Sequence, residues 1–139
     1  MIQRKQTLWL LIVVIAAFLT IKFPFYTGNI VEPSNLKSFQ IVNARYNLAI
    51  LIITITIAIT SLITIFLYSQ RKKQMFYIAL NILMSIATIV LYYSETKKFV
   101  DGDFSIFALL SLFIPISLLF AFIGVFKDER LIKSLDRIR

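Results

Sequence analysis

The chain is 139 residues long, 59% hydrophobic and only 16% charged, with a formal net charge of +8 and a mean hydropathy of +0.84. A soluble domain carries roughly a quarter charged residues, so this composition excludes a small soluble globule and points to a chain embedded in lipid. With no Cys and no His, the sequence also lacks a thiolate nucleophile, a disulfide, the usual zinc ligands and the usual general base near neutral pH.

A membrane-crossing helix needs about 20 mostly apolar residues. Four stretches qualify. The first predicted span is Thr7 to Tyr26, in which Lys22 reaches outward so that residues 23–26 complete the length. Its basic start, Arg4 and Lys5, also suits a signal peptide. No small-x-small cleavage site follows, however, so an uncleaved anchor is the preferred reading. Next comes a long connection, Thr27 to Asn47, where Pro33 and Ser34 suggest a short helix capped by Ser34 with Leu36, Phe39, Asn43 and Tyr46 on one face.

The second span, Leu48 to Tyr68, has no charged residue and carries Thr54, Ala58 and Ser61 at i, i+4 and i+7. Small residues at that spacing allow helices to approach closely. Residues 69–74 form a short basic turn, so spans two and three are expected to be antiparallel neighbours. The third span, Met75 to Tyr93, places Asn81, Ser85 and Thr88 on one face. An amide in hydrocarbon is costly unless hydrogen-bonded, so this face is expected to pack against span two or a partner protein. A polar conduit is the sharper alternative.

A short loop with a Gly102 turn leads to the fourth span, Phe104 to Phe126. Pro115 lies inside it and predicts a kink, with the Ser111 or Ser117 hydroxyl compensating for the lost bond. Gly124 offers another point of close packing. The single Trp, Trp9, and all six tyrosines fall near the predicted interfaces and read as anchors.

Beyond the fourth span lies a charged tail, residues 127–139. Leu131, Ile132, Leu135 and Ile138 share one helical face, Arg130, Lys133 and Arg137 a second, and Glu129 and Asp136 a third. The pattern predicts an amphipathic helix continuing from span four. It suits docking on a protein better than lying on lipid, because acidic residues interrupt the basic ones. A solvated tail that only fixes topology is the plainer alternative.

Lys and Arg set orientation. Residues 4–5, 71–73 and the tail hold ten, against three acidic residues; Lys22, Lys37, Arg45, Lys97 and Lys98 stand opposite four. Both termini are therefore expected in the cytoplasm. The predicted spans two to four contain no Asp, Glu, Lys, Arg or His, so a proton-coupled mechanism has no evident carrier. No catalytic motif is present, no cofactor is implied, and no basic stretch interleaved with aromatics suggests nucleic acid.

The sequence thus predicts an all-α membrane protein, one four-transmembrane-helix bundle spanning residues 1–139. A non-catalytic accessory or assembly component is the leading reading and a small oligomeric transporter or channel the rival. The expected partners are the lipid bilayer and another membrane protein.

Two end motifs carry a resemblance. The chain begins Met1-Ile2-Gln3-Arg4 and ends Ser134-Leu135-Asp136-Arg137-Ile138-Arg139, with Leu80-Asn81-Ile82-Leu83 and the basic turn between. In these it resembles the small four-span membrane proteins of Bacteroidota grouped as domain of unknown function 4293; Lys5 departs from an aliphatic position. The resemblance implies a multi-pass protein of the bacterial inner membrane with no established activity, and it assigns no site residues.

Overall fold

The computed structural model describes residues 3–31 and 37–136. Four helices dominate: α1 (Gln3–Lys22), α2 (Leu48–Phe66), α3 (Arg71–Thr96) and α4 (Ala108–Asp136). All four are long and apolar enough to cross a membrane, the pattern of a multi-pass membrane protein. They pack in ring order, α1 on α2, α2 on α3, α3 on α4 and α4 back on α1. Both described termini and the α2–α3 turn share one end, the terminal end.

Each helix buries a seam whose positions alternate four and three residues apart. On α1 it runs through Gln6, Leu10, Val13, Ala17 and Thr20, and on α2 through Ile50, Thr54, Ile57, Ser61 and Thr64. On α3 it is Gln74, Ile78, Asn81, Ser85, Thr88, Tyr92 and Glu95; on α4, Ser111, Ile114, Leu118, Ala121, Val125 and Asp128. This 3.5-residue repeat is the mark of side chains interlocking along left-handed bundles. The outward positions are Leu, Ile, Val and Phe, among them Leu8, Ile52, Phe76, Leu83 and Leu109, all more than half exposed. The inside is therefore more polar than the outside, as expected where the solvent is hydrocarbon.

The opposite end differs from the expected short helix and Gly102 turn. Three strands, β1 (Tyr26–Val31), β2 (Lys37–Val42) and β3 (Asp101–Phe104), form an antiparallel sheet in the order β2-β1-β3. Where the helix expected from Ser34 onward would run, residues Lys37–Val42 form strand β2 instead. Phe39 lies in β2, and Asn43 and Tyr46 follow it, while Ser34 and Leu36 fall outside the described residues. Lys-Ser-Phe-Gln-Ile-Val alternates along a strand, and its fit to β1 wins over a partly apolar helical face.

Gly102 is no turn residue: it sits in β3 directly opposite Gly28 of β1. A Cβ on Gly28 would overlap the Asp101 carbonyl oxygen, and one on Gly102 would lie 2.6 Å from the Thr27 oxygen. The pair thus permits a close backbone approach that other residues would block.

Helix boundaries shift accordingly. α1 stops at Lys22, because Pro24 disfavours helical geometry at Phe23. Phe25 and Tyr26 then turn inward, and Phe25 stacks on Tyr92 with ring centres 4.5 Å apart. With Val42, Ala44 and Ile50 they form a second core beneath the sheet. Tyr26 and Tyr92 are consequently buried and are not interfacial anchors, whereas Tyr68 and Tyr93 are 60% and 57% exposed. α4 begins at Ala108, with Phe104 in β3, and continues unbroken through Pro115 to Asp136.

Candidate functional site

The polar seams of α2 and α3 meet at Asn81. Its side chain is fully buried, with Oδ1 accepting from the Thr60 hydroxyl at 2.6 Å and Nδ2 donating to Ser61 Oγ at 3.2 Å. The Thr60 hydroxyl also lies 2.7 Å from the Thr56 carbonyl and 3.3 Å from that of Ile57, so three acceptors share its single proton. Ser85 donates to Ile82 O, Thr88 to Met84 O and Thr54 to Ile50 O, each within its own helix. These three residues and Ala58 are buried. Within the sequence-selected set, therefore, only Asn81 and Ser61 join two helices by side-chain hydrogen bonds. Thr60 was not singled out; its signal was its position one residue before Ser61.

At the sheet end, Glu95 is 5% exposed. Asn47 Nδ2 donates to its Oε1 at 2.7 Å, and Lys98 Nζ stands 2.6 Å from its Oε2. The Glu95 bond and charge hold the exposed Lys98 ammonium above its ordinary range. Asn47 also caps α2, its Oδ1 accepting from the Ala49 N–H. Glu95 lies beyond the uncharged run that ends at Tyr93, yet it continues the 4–3 register of α3.

At the terminal end, Gln6 of α1 donates to Asp128 Oδ2 of α4, and Gln74 of α3 donates to Thr64 O of α2 at 3.2 Å. All four residues are buried. Asp128 Oδ1 has no hydrogen-bond partner among the described residues. Each of the four extends the buried seam of its helix. Gln6, Gln74 and Asp128 lie just outside the apolar runs, where they read as flanks, whereas Thr64 lies within span two, three residues beyond Ser61 on the same face.

Thr20, Thr54, Ser85, Thr88, Tyr92 and Ser111 surround a cavity of about 10 Å³, room for about one water. A second cavity of the same size lies beside Gln6, Gln74 and Asp128. Pro115 removes one backbone donor from α4. The buried Ser117 hydroxyl has no hydrogen-bond partner among the described residues and so makes no compensating bond there. Arg130, Leu131 and Ile132 are exposed on the α4 extension. The side chains of Lys133 and Leu135, and all of Arg137 and Ile138, lie outside the described residues.

The site is thus a set of interhelical polar contacts able to fix register and bear contacts, with space for single waters. No curated protein and no solved structure matches the chain. A family model described as "Domain of unknown function (DUF4293)" matches residues 2–138, and the chain belongs to that family.

Proposed function

We propose that this protein is a non-catalytic, multi-pass component of the bacterial inner membrane, with both termini in the cytoplasm. It serves as an accessory or assembly part of a larger membrane complex, acting through helix and tail contacts and needing no cofactor. The observation that carries this reading is the continuation of α4 past Asp128, with Leu131 and Ile132 half exposed on it at 50% and 42%. An uninterrupted helix offers a partner a rigid face with apolar anchors and alternating charges.

The asymmetry of Lys and Arg supports the orientation, and the resemblance to small Bacteroidota four-span proteins supports the membrane. The rival, a small oligomeric transporter or channel, needs a path beside Ser85 and Thr88. The one-water cavity there favours a bundle that works through its surface.

Deleting residues 131–139 is expected to leave membrane insertion intact and to remove partners that copurify in mild detergent. The pair Leu131→Ser and Leu135→Ser should act alike. If the truncated chain retains every partner of the full-length chain, tail docking is wrong.

A further inference from the structure

An open groove of about 480 Å³ lies at the terminal end, between the α2–α3 turn and the α4 extension. Ser69, Gln70, Arg71, Lys72, Lys73 and Ile132 line it. Three adjacent residues are cations and none is acidic. Gln70, the N-cap of α3, makes no side-chain capping bond, and no acidic residue occupies the first turn. The first N–H groups of this 26-residue helix therefore add partial positive charge to that of the side chains. Apolar surface adjoins the cations: Ile132 in the lining is 42% exposed, and Phe76, one turn further along α3, is 65% exposed.

A cluster of positive charge opening onto exposed hydrocarbon matches an amphiphile with an anionic head. A basic turn acting solely as a topological signal needs neither the concavity nor the apolar neighbours. We propose that the groove binds one anionic glycerophospholipid. Its phosphate sits against Arg71, Lys72 and Lys73, and an acyl chain lies along Ile132 and Phe76. The proposal rests on the four helices crossing a bilayer, which sets Arg71–Lys73 at headgroup depth, just outside the apolar run beginning at Met75. It is independent of any protein partner for the tail.

The test uses the purified full-length chain in neutral detergent, with thermal unfolding and native mass spectrometry as readouts. Phosphatidylglycerol is titrated against phosphatidylcholine of the same acyl chains and against glycerol phosphate. Phosphatidylglycerol is expected to raise the melting temperature and remain bound, and the other two to do neither. Lys72→Gln should weaken phosphatidylglycerol about fivefold, the loss of one interfacial charge. Ile132→Glu, which keeps every Lys and Arg, should abolish retention. Lys97→Gln, at the opposite end, should leave affinity unchanged.

Equal shifts from phosphatidylcholine would overturn the proposal, as would a glycerol phosphate shift matching that of the lipid, which marks a soluble-anion site. An effect of Lys97→Gln equal to that of Lys72→Gln would reduce the binding to general charge. If Ile132→Glu does not fold, Lys72→Gln against Lys97→Gln still decides. Failure of the membrane reading itself would show separately, as full-length protein recovered without detergent.

Discussion

Asn47 and Glu95 are 48 residues apart in sequence and joined by a 2.7 Å hydrogen bond. One amide serves two elements: its oxygen caps α2 and its nitrogen holds the end of α3. Asn47→Ala removes both contacts and is expected to cost about 2 kcal/mol, combining a lost cap with a bared carboxylate oxygen. Asn47→Asp keeps the cap but sets a second carboxylate against Glu95. Its deficit at pH 7 should shrink as pH falls toward about 4, where the introduced carboxyl takes a proton. Chemical or thermal unfolding in detergent at both pH values would check this; a deficit independent of pH would show that Glu95 does not face residue 47.

The Lys98–Glu95 pair has its own pH signature. The folded-state Lys98 pKa is raised, so the pair's contribution is fully present below the ordinary lysine value of 10.5 and is lost as pH rises through the raised one. Between pH 7 and 9, wild type and Lys98→Met should keep a constant stability difference, narrowing only above that window.

Asn81→Leu should destabilise the bundle by about 1 kcal/mol, the range found for interhelical hydrogen bonds in membranes. Thr60→Val should cost a similar amount, and the double variant less than the sum, because both remove the same contact. Strict additivity in a double-mutant cycle would separate the two residues.

Gly124→Ala tests sign. Alanine is favoured over glycine in helices by about 1 kcal/mol. Here, however, a Cβ would lie 2.8 Å from Gln6 Cγ and displace the donor to Asp128. Net destabilisation is expected, and a raised melting temperature would show that the α1–α4 contact gives way freely. In the sheet, Gly28→Ala and Gly102→Ala should each cost about 1–3 kcal/mol through overpacking.

Orientation is checked with reporters active only outside the cytoplasm. A fusion after Arg139 should be silent, and an insertion between β1 and β2 active. Activity from the Arg139 fusion would require an odd number of spans or the inverted orientation.

The helices were legible because length and apolar character suffice to identify a helix able to cross a membrane. So was the α2–α3 contact, since an amide such as Asn81 must find a partner in lipid. The sheet was not. Asp101-Gly102-Asp103 has the composition of a turn, and only its match to the Gly28 region makes it a strand. The polar ends of the seams were equally hidden: Gln6, Gln74, Glu95 and Asp128 look like solvated flanks until the 4–3 register is traced through Leu10, Ile78, Tyr92 and Val125. Hydropathy reports the outward apolar surface, whereas that register reports the interior.

Pairing of β1 with β3 ties the connection after α1 to the connection after α3. The four helices are thereby clasped at one end, like the hinge of a pair of tweezers. At the other end α1 and α4 are held by Gln6 and Asp128, and α2 and α3 by Gln74 and Thr64, with no strand across them among the described residues. The two ends are thus closed by different means: backbone pairing across connections at the sheet, and single side-chain contacts between neighbouring helices at the end that bears the basic turn and the α4 extension.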